Sequence, residues 1–378
     1  MPEALALYVH FPWCVRKCPY CDFNSHARTD AIPEQAYVDA LLRDLALELR
    51  DAPARAFTSL FLGGGTPSLF SGTAMQRLLA GIHQLRPWVA DAEITLEANP
   101  GTIDEAHFRD YRRAGINRLS IGVQSFNPAH LTRLGRIHSG ADAERAVETA
   151  GNAGFDNFNL DLMFGLPAQT PAEAEADLAR ALALAPQHLS YYQLTLEPNT
   201  AFAAAPPTLP DDDTVADMQL QGQATLAAAG FQQYEVSAYA RDGRRSRHNE
   251  TYWTFGDYLG IGAGAHGKLT TADGVIRRAR HKLPKTYLRH AGSAEALQED
   301  RRVPTADLPF EFMLNALRRV DGFAPEDFER ATGLSFTVLM SGLERARAQG
   351  LLADDPERVR ASKRGYRYLN RLVGLFLT

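Results

Sequence analysis

The sequence predicts an α/β fold: a partial (β/α)6 barrel, then an extension of it, then a mainly helical, winged-helix-like C-terminal domain. Three observations carry this expectation. Short β-like runs alternate six times with longer amphipathic stretches in the first 200 residues, the pattern of a parallel sheet. Thiols and polar side chains stand in or just beyond successive strand candidates. A barrel shares its mouth among βα loops in that way, whereas an open doubly wound sheet gathers its site at one switch point. After residue 200 the alternation stops and the composition changes.

The strand candidates are LALYVHF (5–11), SLFLGG (59–64), ITLEAN (94–99), RLSIGVQ (118–124), NFNLDLMFG (157–165) and LSYYQLTLE (189–197). Between them, 34–50, 73–85, 103–114, 140–153 and 171–185 are rich in Ala, Leu, Glu and Arg and read as helices. Cysteines follow the first strand and GGGTPS (63–68) follows the second; Glu97 and Asn99 close the third, Gln124 closes the fourth, and Asp161 lies in the fifth. Six units rather than eight imply an incomplete TIM-like barrel with room at its open side. A Pro-rich connection (201–214) leads to a helix at 214–230, a strand QQYEVSAYA (232–240) and a Gly-rich run YLGIGAGAHG (258–267). From 306 onward three helices and a small β-turn are expected. The domains read as 1–200, 201–305 and 306–378.

At 378 residues, 45% hydrophobic and 22% charged, the chain has ordinary globular composition and is long enough for more than one core. A net charge of −5 argues against a general nucleic-acid binder. From Ala306 the chain carries eleven basic and ten acidic residues, so the last domain lacks a DNA reader's footprint and suits docking or a lid. No apolar run approaches a membrane span, and the N-terminus lacks a basic head and long apolar stretch. These features give a cytoplasmic location, with at most peripheral membrane contact. Two basic clusters, Arg241–Arg247 and Arg277–Lys285, are solvated loops or a landing place for a small anion.

All three cysteines of the chain lie in CVRKCPYCDF, as Cys14, Cys18 and Cys21. An odd number at four- and three-residue steps favours a ligand set over cystines. Zinc would need a fourth ligand, which His10 or His26 can supply. An iron–sulfur cluster is normally held by four thiolates; with three, one iron stays free of protein and open to a ligand.

Cys-x3-Cys-x2-Cys after a first strand, Tyr20 just before the last Cys, and GGGTPS after the second strand resemble the radical SAM superfamily. That resemblance covers essentially the whole chain. It implies a [4Fe–4S] cluster on Cys14, Cys18 and Cys21, with S-adenosylmethionine (SAM) chelating the free iron through its amino and carboxylate groups. It also implies that Gly64, Gly65 and Thr66 receive the methionine end, where glycine admits close backbone approach. Glu97, Gln124, Arg136 and Asp161 match polar SAM contacts, and Tyr8 and Tyr20 match aromatic neighbours of cluster and adenosine. An arginine suits a carboxylate and acids suit ribose hydroxyls or an ammonium group.

Within the superfamily the chain resembles the oxygen-independent coproporphyrinogen III oxidase-like family, on its heme-chaperone branch. The oxidase type carries a further cysteine two positions past the third, where this chain has Phe23, and a long arm before its first strand. HNETYW (248–253) matches the His-Asn-x-x-Tyr-Trp signature of the chaperone branch. Heme wants an axial imidazole, apolar or aromatic walls and cations for its propionates. His248 is the expected ligand, Tyr252 and Trp253 the wall, and the two basic clusters the propionate partners. The resemblance implies heme and acceptor hemoproteins, respiratory ones among them, as partners, and an electron donor such as a flavodoxin if SAM is cleaved. The alternative from another class is a radical SAM oxidoreductase acting on a porphyrinogen.

Overall fold

The structure is a computed structural model that describes residues 4–102 and 105–377. Its strands are β1 (Leu5–Phe11), β2 (Trp13–Cys14), β3 (His26–Ala27), β4 (Phe57–Gly64), β5 (Trp88–Ala98), β6 (Arg118–Gln124), β7 (Phe158–Phe164), β8 (His188–Gln193), β9 (Gln232–Glu235), β10 (Ala238–Ala240), β11 (Asp257–Ile261), β12 (His266–Thr271), β13 (Gly274–Arg280) and β14 (Leu297–Arg302). One 12-stranded sheet runs β14-β13-β12-β11-β1-β4-β5-β6-β7-β8-β10-β9. Its centre, β1 to β8 without the short β2–β3 pair, is six parallel strands in chain order. This is the expected partial α/β barrel.

Helices between these strands cover the outer face. In Gly72–Leu85, capped by Ser71, the buried Met75, Leu78, Leu79 and Ile82 recur at helical spacing. Each such burial contributes roughly 1.5–3 kcal/mol. The helix expected at 103–114 is seen as Glu105–Ala114, its first two residues lying outside the described ones.

Segment 201–305 is not a separate body. It lengthens the barrel sheet at both edges: β11 joins β1 in parallel and starts an antiparallel run through β12, β13 and β14, while β10 pairs antiparallel with β8. The single strand expected at 232–240 is two, β9 and β10, folded on each other by a tight turn. The strand expected at 189–197 ends at Gln193, and residues 194–200 form a loop in which Asn199 holds φ 63°. The β13 edge is tied to the helix Glu34–Glu48 by Arg280, which pairs with Asp44 at 2.9 Å and Glu48 at 2.7 Å, all three buried.

Beyond residue 306 the described residues form five α-helices rather than three helices: Leu308–Ala316, Pro325–Thr332, Met340–Ala348, Lys363–Arg367 and Leu369–Gly374. The β element is reduced to the isolated bridges Phe323–Val359 and Leu352–Ala361. The helices surround their own apolar cluster, centred on Phe312, Phe323, Phe328 and Leu343, which Phe255 joins from the barrel side. No helix among the described residues is long and apolar enough to cross a membrane.

Candidate functional site

Cys14, Cys18 and Cys21 line one cavity of about 410 Å³ at the C-terminal mouth of the parallel strands. The loop is pinned rather than loose: β2 pairs with β3 across it, and Cys21 N–H donates to the Cys18 carbonyl at 3.1 Å. Polar hydrogens reach the sulfurs, Thr66 Oγ1 to Cys14 Sγ at 3.5 Å and Arg136 Nη1 to Cys18 Sγ at 3.8 Å. Ser25 Oγ stands 3.7 Å from Cys21 Sγ. Burial raises Cys14 and Cys21, and these hydroxyls partly offset it. Among the described residues no three His, Cys, Asp or Glu side chains converge as a single metal ion requires. Three thiols around one cavity but not around one point fit a cluster, which offers each thiolate its own iron, and not a mononuclear zinc site. His10 is also closed to zinc, since its ring nitrogens meet Tyr8 hydroxyl at 3.0 Å and the Asn24 carbonyl at 2.8 Å.

The other candidates stand around the same space. Gly64, with φ 110°, donates its N–H to Glu97 Oε2 at 2.9 Å, and a Cβ there would strike the His10 ring. Burial, with Asp161 nearby, pushes Glu97 up to about 8, against this hydrogen bond. Asp161 is likewise raised by burial, though Asn159 and Ser120 donate to it at 2.8 and 3.3 Å. Arg136 is aimed by the Gly122 carbonyl (2.6 Å) and by Asn99. Gln124 holds φ 68°, an unfavourable value for a residue with a side chain, and accepts from Tyr192 hydroxyl at 2.7 Å. Tyr8, Tyr20, Gly65 and Thr66 complete the lining. Ser120, Asn159, Ser190 and Tyr192, absent from the expected set, line it too. Their signal was present: Asn159 and Asp161, like His188 and Ser190, alternate along one face of a strand.

HNETYW forms the short helix Arg247–Trp253, set in the barrel by Glu93, which accepts the N–H groups of Arg247 and His248, each at 3.2 Å. The helix divides two spaces. His248, Asn249 and Tyr252 border the cysteine cavity; Tyr252 and Trp253 border a second one of about 670 Å³. His248 is not placed as an open ligand. It is fully buried, its Nε2 is 2.7 Å from Tyr252 hydroxyl, its Nδ1 is 3.2 Å from Ser59 Oγ, and burial lowers it to about 3. An iron bond at Nε2 would have to displace Tyr252.

The basic clusters differ from expectation as well. Arg277 pairs with Glu311, Arg278 with Glu48, Asp51 and Asp300, Arg280 with Asp44 and Glu48, Arg245 with Glu250 and Asp321, and Arg247 with Asp91. Arg241 lies over the Phe231 ring. Most of these cations brace the fold, and Lys282 alone of both clusters lines the second cavity without an ion pair among the described residues.

Residues 8–181 match the Radical SAM superfamily, and residues 303–368 match the HemN C-terminal domain. Fold and site together therefore define a radical SAM protein, a class that implies a [4Fe–4S] cluster and SAM. The chain is 50% identical over 374 residues to the heme chaperone HemW of Escherichia coli strain K12, covering 99% of this chain and 98% of that protein. It is 49% identical over 379 residues to HemW of Haemophilus influenzae, with 99% and 98% covered. The chain belongs to the heme chaperone HemW family. Among solved structures, coproporphyrinogen III oxidase (HemN) from Escherichia coli, a radical SAM enzyme, aligns with TM-score 0.83 and 25% identity over 100% of this chain and 91% of that one.

Proposed function

We propose that this chain binds heme and passes it to acceptor hemoproteins, respiratory ones among them, and that it carries a [4Fe–4S] cluster on Cys14, Cys18 and Cys21 with SAM on the open iron. When bound, cluster and SAM together supply one-electron chemistry, which serves here in a supporting or regulatory role. The chain's own residues would hold that pair in place. Arg136 spans from Cys18 to the strand mouth, suited to a carboxylate. Glu97, beside the Gly64 turn, meets cationic or hydroxyl groups, and Asp161 and Gln124 extend the polar wall. The reduced thiols suit the cytoplasm.

The observation that carries the reading is the HNETYW helix, which forms a common wall between the thiol-lined cavity and a larger, aromatic-lined one. Phe23, in place of the oxidase type's extra cysteine, borders both. The oxidase reading draws its support from the likeness to HemN over the whole chain. Anaerobic reconstitution with iron and sulfide, followed by hemin titration and a coproporphyrinogen III turnover assay with SAM, separates the two. Saturable binding near one heme per chain without turnover is the expected result; turnover without saturable heme would replace the chaperone with the enzyme.

A further inference from the structure

If His248 is closed, heme needs another imidazole. The second cavity offers three. His10 has both ring nitrogens engaged, and His26 Nε2 lies 3.2 Å from Asn24 Oδ1 and 3.3 Å from the Lys282 carbonyl. His266, at the first position of β12, differs: it is exposed, it lines the cavity, and its ring makes no hydrogen bond among the described residues. Its backbone is fixed on both sides, by Ala279 in the β12–β13 ladder and by the Gly260 backbone packed against it. A rigid backbone carrying a free imidazole is what a metal site asks of its scaffold.

The surroundings match a flat apolar dianion. Tyr252 and Trp253 contribute aromatic surface, and Tyr258 stands edge-on to Tyr252 with centroids 4.6 Å apart. Phe23 lines the same space while 59% exposed, an apolar side chain that the described residues leave largely uncovered. Its cost in water is recovered when a hydrophobic ligand lies on it. Two cations on the rim, Lys17 and Lys282, are exposed and without an ion pair among the described residues; Lys17 gives one of its hydrogens to the Phe23 carbonyl at 3.3 Å and keeps the others for a ligand. Lys268 does not compete, because it is buried against Asp257, Thr270 and the Phe255 carbonyl. The volume, about 670 Å³, falls in the range of cofactor pockets.

We infer that this cavity, outside the cysteine site, is where heme is held, with His266 as its axial ligand, Phe23, Tyr252 and Trp253 as its walls, and Lys17 and Lys282 as partners of the propionates. The inference rests on the proposed heme function and assigns that function's site. HNETYW then acts through its last two residues on the heme side, while His248 orients Tyr252 from behind.

The test uses the full-length, cluster-reconstituted protein and hemin. His266→Ala is expected to change the Soret and ferric EPR spectra and to weaken binding by more than about tenfold, since loss of even an outer partner of a metal ligand costs about 10–100-fold. Added imidazole restores the wild-type spectrum in that variant, a rescue that a purely structural residue would not show. Lys17→Ala with Lys282→Ala weakens binding without altering the axial signature. His248→Gln keeps the axial signature. Wild-type spectrum and affinity in His266→Ala, with the axial signature lost in His248→Gln, would overturn the assignment while leaving the heme function standing. No saturable hemin binding by the wild type would instead sink the function itself.

Discussion

The two cavities that meet at the HNETYW helix are built on different plans. The thiol-lined one is assembled from the ends of consecutive parallel strands, so each βα unit adds one polar group to a common rim. It is sunk deep enough that burial raises Glu97 and Asp161, and Gln124 is held at an unfavourable φ. The second is assembled from the loop around Phe23 and the antiparallel β11–β13 edge, and it leaves Phe23 and His266 exposed. The first has the buried, prearranged polar rim that a cofactor site requires; the second is open at Phe23 and His266, which suits a ligand that must leave again.

The largest expected effect separates the two outright. Cys14→Ala, Cys18→Ala and Cys21→Ala together remove all [4Fe–4S] absorbance and acid-labile sulfide, since no other thiol exists in the chain. Hemin still binds. Loss of both signals together would show that the cavities are one site.

Next in size is the brace behind the second cavity. Arg280→Ala leaves Asp44 buried without an ion pair and Glu48 with Arg278 alone, which costs about 3–5 kcal/mol. Denaturant unfolding should show that loss, and hemin affinity should fall with the loosened β12–β13 hairpin.

A smaller effect follows from Glu97. Its ordinary value is 4.5 and its folded value about 8, so the folded, SAM-free chain holds a proton that the unfolded chain has released. Its contribution to stability is full below about 4.5 and is lost as pH rises through about 8. Glu97→Gln mimics the protonated form, so thermal melts of the variant should fall less steeply with pH across that window. SAM affinity of the wild type should drop by up to about tenfold per unit as pH falls below 8, and Glu97→Gln should bind weakly with no such slope. Equilibrium dialysis checks this; parallel pH profiles would remove Glu97 from the SAM contacts.

The smallest expected effect is none. Arg244 is half exposed and only 4.0 Å from Asp156, so Arg244→Ala should leave hemin affinity and stability unchanged within about 0.5 kcal/mol. A large loss would restore the 241–247 cluster to the heme site.

The same contrast explains what the sequence disclosed. Strand β1 and strand β6 are found at the expected residues, because apolar runs bounded by turns repeat with regular helices between them. The cysteine spacing and GGGTPS are local motifs, and local motifs survive translation into structure. The second cavity has no local pattern. His26, Lys282 and His266 come together only through sheet pairing across some 240 residues of chain. The arginine clusters misled for a related reason: their acidic partners Asp44, Glu48 and Glu311 lie in distant helices. His248 sits in a motif, yet its burial follows from Glu93 drawing the helix into the barrel, which no spacing reveals.

The most direct test of the account is handover. Hemin-loaded, cluster-reconstituted protein is mixed with an apo form of a respiratory hemoprotein or with apomyoglobin as a neutral scavenger, and heme arrival is followed by absorbance. A chaperone with an open seat predicts faster delivery to the acceptor than to the scavenger, with a rate that rises with acceptor concentration. Equal rates, independent of the recipient and its concentration, would mean simple release and would contradict the claim that this chain delivers heme.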